Sequence, residues 1–234
     1  MFQNKKIIGI IPARGGSKGV PRKNIKLAAG KPLLSYTIQA AKESRYLDHF
    51  VLSSDDDEIL KVGSECGCEH VIKRPTNIAT DSAPIFEAVL QVLEQNPGYD
   101  YLLLLQPTSP LRQAGDIDAI IEHCVGSGQS SSVSVCETSK NPQWMFFIQD
   151  NQFQPLVSQN LEQVGVKQRQ ELPKAYHLNG ALYLAEVSWF LTHKGFFAKD
   201  TMPFVMPAER SLDIDTPLDF AYFEFLLQQQ SSKA

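Results

Sequence analysis

The chain has 234 residues, of which 43% are hydrophobic, 21% charged and 9% aromatic, proportions that exclude disorder, collagen and coiled coil. That length suits one domain, residues 1–234, with a core that needs no covalent staples. Twenty-two basic against 26 acidic residues leave a formal charge of -4, which argues against nucleic acid as partner, because that binding rests on neutralising phosphates.

The first apolar run, Ile7–Ile11, follows Lys6 and stops at Pro12, too short for a secretory signal. No run approaches the roughly 20 apolar residues that span a bilayer. A cytoplasmic protein with no membrane partner is expected, and Cys66, Cys68, Cys124 and Cys136 are expected as thiols. Cys66, Cys68 and His70 stand close together, but a closed zinc site needs four ligands and no second pair of suitable spacing exists.

Strands are predicted at Lys6–Ile11, Phe50–Ser53, His70–Ile72, Tyr101–Leu105, Ser132–Val135 and Ala181–Leu184. Helical stripes lie between most of them. Pro32 opens one, with Leu34, Ile38 and Ala41 on a face. Ile85, Ala88, Val89 and Val92 form a second, and Ile117, Ile120, Ile121 and Cys124 a third. Near the end Thr216 reads as an N-cap and Pro217 as the first helical residue, with Leu218, Tyr222, Phe225 and Leu226 as the buried face.

The alternation implies an α/β fold, a mostly parallel sheet with helices on both faces, and ligands beyond the carboxyl ends of the strands. Residues 138–178 break the rhythm. They are rich in Gln, Asn and Pro and carry Trp144, Phe146, Phe147 and Phe153. A structureless loop of that length is improbable in a compact domain, so the segment reads as an inserted arm with its own short strands, packing on another subunit.

The loop after the first strand, Pro12 to Asn24, packs three glycines, four cations (Arg14, Lys18, Arg22, Lys23) and Asn24 into thirteen residues. Glycines let backbone N–H groups converge on an anion, and this much fixed positive charge suits a polyphosphate better than a lone carboxylate. The loop is neither a Walker A motif nor a dinucleotide fingerprint, which demotes ATPase and dehydrogenase chemistry. In the second signal, Ser211 to Thr216, an extended backbone puts Asp213 and Asp215 on one side with Ile214 opposite. Two such carboxylates suit Mg²⁺, which takes oxygen ligands and keeps several waters. Alternatively, they only charge the start of the last helix. Gln106 follows four leucines, where a polar side chain faces the cleft. Arg112 either touches phosphate or forms a surface salt bridge. Arg74 ends another strand, and Ser82 can cap the helix at Ile85.

Five ordered segments carry a resemblance: Pro12 to Asn24, Leu105 to Arg112, Arg169 to Pro173, Asn179 to Tyr183, and Asp213 to Thr216. Together they resemble the signature of the acylneuraminate cytidylyltransferases, the CMP-sialic acid synthetases. The resemblance implies a nucleotide-diphospho-sugar transferase-like, Rossmann-like fold and a homodimer in which the arm of one subunit reaches over the active site of the other. It implies transfer of CMP from CTP to a nine-carbon 2-keto acid sugar with Mg²⁺. It also assigns roles. Pro12, Ala13, Arg14, Gly16, Ser17, Lys18, Lys23, Asn24, Arg74, Ser82 and Gln106 line the nucleotide. Gln106, Arg169, His177 and Asn179 meet the sugar, and Asp213 and Asp215 hold the metal. Arg14, Lys23, Asp213 and Asp215 serve the chemistry.

His177 stands where typical sialate enzymes have an arginine, and Pro84 replaces a serine found in some members. These departures open the pocket to legionaminic or pseudaminic acid as alternative sugars. A 3-deoxy-octulosonate cytidylyltransferase, a nucleotide-binding module without turnover and a Rossmann oxidoreductase rank behind.

Overall fold

The computed structural model describes residues 1–17, 19–79, 84–157 and 168–231. In chain order the elements are β1 (Ile7–Pro12), a small hairpin of β2 (Leu27–Ala28) and β3 (Lys31–Pro32), α1 (Leu33–Glu43), β4 (His49–Ser54), α2 (Asp57–Glu65), β5 (Val71–Lys73), α3 (Ile85–Gln95), β6 (Tyr101–Leu105) and α4 (Ala114–Gly126). Then come β7 (Ser131–Glu137), β8 (Phe146–Gln149), β9 (Gln152–Pro155), β10 (Tyr176–Glu186), α5 (Val187–His193), β11 (Met202–Val205) and α6 (Pro217–Ser231).

Seven strands form one sheet in the order β11-β7-β10-β6-β1-β4-β5. All pairings are parallel except those of β10, which runs antiparallel to both β6 and β7. Alternation along β1 builds both halves of the core. Ile7 and Ile11 pack with Leu34 and Ile38 of α1 and with Ile117, Ile120 and Ile121 of α4. Ile8 and Ile10 face the other way, toward Val89 and Val92 of α3 and Phe190 of α5. Every residue of β6 is buried, as a strand covered on both faces requires. All four cysteines are free thiols, and among the described residues no helix is long and apolar enough to cross a membrane.

The hairpin β2–β3 and helices α2 and α5 were not among the expected elements, and two further features differ from the sequence expectation. β11 was not anticipated. It is a short edge strand containing Pro203, whose missing N–H is tolerated only at an edge. In α6, Thr216 does cap the helix: its Oγ1 accepts from the Asp219 N–H, and Asp219 accepts from the Thr216 N–H at 2.7 Å. The buried face is another one, however. Phe220 and Phe223 point inward, while Leu218 is 78% exposed and Tyr222 and Phe225 are half exposed. The helix is apolar nearly all round, so its periodicity selects no single face.

Phe220 and Phe223 join Val20, Ala28, Leu33 and Ile214 in a small separate core. This cluster positions the site. It buries Val20 from the first loop together with Ile214 from between the two acids, and so fastens the amino-terminal and carboxy-terminal motifs to each other.

The arm begins and ends at one place. The Thr138 N–H donates to the Ala175 carbonyl at 2.9 Å, and Asn141 Nδ2 donates to the Pro173 carbonyl at 2.9 Å. β8 and β9 form a two-stranded sheet apart from the main one. They are joined at Asp150 and Asn151, both with positive φ, the conformation that tight hairpins favour.

Candidate active site

A cavity of about 400 Å³ opens at the carboxyl ends of β1, β5 and β6, within the range of small-ligand sites. Its walls include Pro12, Arg14, Ser17, Lys23, Asn24, Arg74, Gln106, Asp213 and Asp215. The structure therefore gathers nine of the residues singled out from sequence into one space.

The first loop is held open by its own polar groups. The Ala13 N–H donates to the Ser53 carbonyl at 2.9 Å, the Gly15 N–H to Asp55 at 3.0 Å, and Asn24 Nδ2 to the Arg14 carbonyl at 2.9 Å. Ala13 is fully buried and contributes backbone alone, whereas Gly16 is exposed. Arg22 turns away in a left-handed conformation and pairs with Asp56 at 2.5 Å and with Glu58. Of the loop's four cations, Arg22 anchors the loop, Arg14 and Lys23 line the cavity, and Lys18 lies outside the described residues.

Arg74 is buried against β4, donating from Nε to Ser53 Oγ at 3.2 Å and from its other terminus to the Ser53 carbonyl at 3.0 Å. Burial depresses its pKa first; Asp55 opposes this and the nearby Arg14 adds to it. Two guanidiniums near enough to repel each other mark a place that an anion would relieve.

On the opposite wall stand the acids. Lys23 Nζ donates to the Ile214 carbonyl at 2.5 Å and to Asp215 at 3.3 Å, so the cationic loop and the acidic segment touch directly. The Asp215 side chain is 74% exposed. Asp213 is more enclosed, and its Oδ1 has no hydrogen-bond partner among the described residues. Burial first, and the charge of Asp215 with it, push the Asp213 carboxyl above its ordinary range, while a hydrogen bond from Thr108 opposes the shift.

Among the described residues no group of three His, Cys, Asp or Glu is arranged to hold a metal. Two carboxylates do not meet that count, but Mg²⁺ needs only one or two when phosphates complete its shell. An orphaned buried carboxylate oxygen beside a second acid fits that donor set.

Two glycines and a threonine belong to this site without having been picked out. A Cβ on Gly19 would lie 2.0 Å from the Asp215 carbonyl oxygen. Gly180 has φ +71, and a Cβ there would lie 3.0 Å from Asp213 Oδ2 and 3.1 Å from Gln106 Oε1. Thr108 accepts the Ile214 N–H at 2.8 Å through its carbonyl. Only the close approach in three dimensions reveals the glycines; Thr108 was visible within the Gln106 to Arg112 motif but carried no mark of its own.

Of the four residues expected at the sugar, Gln106 lines the cavity, and Asn179 and His177 lie outside its walls. Asn179 is fully buried. Its Oδ1 accepts from Ser134 at 2.6 Å, and its Nδ2 donates to Ser211 at 2.9 Å, so it ties the sheet to the acidic segment rather than lining the cavity. His177 is exposed on β10 opposite Cys136. Arg169 begins a short 3₁₀ turn, Arg169–Glu171, in the arm. Ser82 lies outside the described residues. Arg112 is not among the residues lining this cavity and forms no salt bridge among the described residues: it is 2% exposed and bonds to two main-chain carbonyls and to Thr37 Oγ1.

A family model described as cytidylyltransferase matches residues 8–232. The chain belongs to the cytidylyltransferase family. This cytidylyltransferase is 36% identical over 230 residues to the CMP-N,N'-diacetyllegionaminic acid synthase of Legionella pneumophila, a match covering 95% of this chain and 97% of that protein. It is 33% identical over 229 residues to the N-acylneuraminate cytidylyltransferase of Escherichia coli, covering 97% of this chain but 53% of that longer protein. Among solved structures, CMP:2-keto-3-deoxy-manno-octonic acid synthetase complexed with CTP superposes with a TM-score of 0.72 over 96% of this chain and 99% of that one, at 14% identity. At that identity the likeness concerns the fold.

Proposed function

We propose that this cytidylyltransferase transfers CMP from CTP to the anomeric hydroxyl of a nonulosonic acid. The sugar oxygen bonds to the α-phosphorus, the α–β phosphoanhydride breaks, and pyrophosphate and a proton are released. The observation that carries the reading is the contact of Lys23 with Ile214 and Asp215 inside a cavity that also holds Arg14 and Arg74. Phosphoryl chemistry of this kind rests on positioning and charge neutralisation more than on a covalent nucleophile. Arg14, Ser17, Lys23 and Arg74 hold the triphosphate, Asn24 keeps the loop open, and Gln106 faces the reacting end. Asp213 and Asp215 would hold Mg²⁺. When bound, that ion would draw charge from the phosphate oxygens.

The test is pyrophosphate release from CTP and Mg²⁺ with a panel of N-acetylneuraminic, N,N'-diacetyllegionaminic and pseudaminic acids. The first full-length relative above acts, by its name, on the legionaminic sugar, which makes that acid the first to try. Release with none of them sinks the proposal and leaves a nucleotide-binding module.

The arm supports a homodimer as the working form. Ile148 and Phe153, paired across a hairpin that stands apart from the main sheet, are 73% and 62% exposed on one face of it, and an isolated two-stranded hairpin is marginal in water. A second copy would cover those side chains and bring Arg169 of each arm, with His177 at its base on β10, toward the other's cavity. The double variant Ile148→Asp, Phe153→Asp is expected to shift sedimentation from dimer to monomer. KM for the sugar acid should rise about 10-fold, in keeping with a lost desolvated contact, while CTP binding persists. A parent chain that sediments as a monomer refutes the arrangement.

A further inference from the structure

Arg112 lies behind the cavity wall. It is buried, and among the described residues no carboxylate bonds to it. One terminal nitrogen donates to the Gln106 carbonyl at 3.2 Å and to the Ala181 carbonyl at 2.9 Å, and the other donates to Thr37 Oγ1 of α1 at 2.6 Å. Nε has no partner among the described residues. The nearest acid, Asp116, is committed elsewhere: it accepts from Arg210 and from the Gln113 N–H. Burying a cation on neutral acceptors is costly. Burial pushes its pKa down to about 9, which still leaves the guanidinium charged at neutral pH.

The acceptors show what it holds. β6 and β10 pair up to Leu105 and Leu182. Gln106 and Ala181 are the next residue on each strand, and Ala181 lies within the stretch, between Leu178 and Tyr183, where β10 shifts register against β7 on its other side. Arg112 therefore donates to both strands at the point where their ladder ends. Gly180 adjoins Ala181, and the space over its Cα is bounded by Gln106 Oε1 and Asp213 Oδ2 at 3.1 and 3.0 Å from an added Cβ. The spacing of those two cavity groups thus depends on the backbone that the guanidinium clamps.

We infer that Arg112 is a positioning residue for the cytidylyl transfer, setting the gap between Gln106 and Asp213 by tying the Gln106 and Ala181 carbonyls to α1. This rests on the proposed function. A planar fork is needed, because a lysine ammonium has one nitrogen and cannot span three acceptors in this arrangement. The triphosphate loop, residues 12–24, makes no bond to Arg112 among those described, so nucleotide binding is separable from this effect.

The test compares the parent chain with Arg112→Lys and Thr37→Val. Steady-state pyrophosphate release is measured beside amide hydrogen exchange at Gln106–Ser109 and Gly180–Leu182, with the β1–β4 ladder as internal reference. For Arg112→Lys, kcat is expected to fall about 10²-fold, the scale of a 1 Å misplacement, with KM for CTP within about threefold. Exchange should speed up at the two named segments alone. Thr37→Val, which removes one of the three bonds, should lower kcat about fivefold with the same pattern, and it carries the test if Arg112→Lys does not fold. Unchanged kcat, a rise in KM for CTP in place of the kcat loss, or exchange that rises equally across the sheet overturns the inference. If the parent releases no pyrophosphate with any sugar acid, the functional proposal fails. The exchange contrast then decides whether Arg112 clamps these strands.

Discussion

Asp213→Asn is expected to lower pyrophosphate release by about 10³-fold or more, the scale of removing a metal's charge from a phosphoryl transfer site, while leaving a folded protein. The substitution keeps the shape and removes one negative charge from a pair. Its Oδ1 is buried without a partner among the described residues, and burial raises the carboxyl above its ordinary range. A carboxyl raised by folding costs stability once it ionises. Below its unfolded pKa both states carry the proton and no cost arises; above the raised folded value the cost is complete. At neutral pH without divalent ions, Asp213→Asn should therefore unfold about 1 kcal/mol later than the parent, a rise in Tm of roughly 2–4 °C. Activity and stability move in opposite directions, as expected of a carboxylate held ready for a cation. Loss of turnover together with a lower Tm would mean that Asp213 supports the fold instead. Retained turnover would remove it from the chemistry.

What was legible in the sequence follows from how local each signal is. Tyr101–Leu105 was read with its true limits, because a strand buried on both faces is apolar at every position and stops where Gln106 turns polar. The cationic loop and the two acids were legible as motifs, since glycine, charge and spacing are local properties. Their meeting was expected only from resemblance. The physical cause is Val20 and Ile214 sharing one small core, and neither residue stands out in sequence. The α6 face was misread because apolar residues surround that helix. Arg112 was misread because a cation at a loop end is usually exposed, and only the assembled sheet edge supplies the carbonyls that retain it. The sugar set divides: Gln106 was legible because it follows the buried strand directly and lines the cavity, whereas the interior role of Asn179 appears only once β7 and the acidic segment are assembled around it. His177 stands on β10 and Arg169 in the segment before it.

Gly19→Ala is expected to reduce kcat/KM for CTP by about 10²-fold, with most of the stability retained. The added Cβ would sit 2.0 Å from the Asp215 carbonyl oxygen and 3.2 Å from its carbon. The obstacle is backbone, which cannot swing aside as a side chain can. One of the two segments must retreat, and either movement draws Lys23 away from the Ile214 carbonyl and Asp215, now at 2.5 and 3.3 Å. The main core does not feel this, because the strain falls on the small cluster under α6. The stability loss should therefore stay near the ~1–3 kcal/mol typical of overpacking, read from the urea midpoint. Gly115→Ala is the control, since a Cβ there meets nothing within 4 Å and its site in α4 is outside the cavity. Equal turnover in Gly19→Ala and Gly115→Ala would show that the loop need not press against the acidic segment. The contact between the two ends of the chain would then be a feature of packing rather than of catalysis.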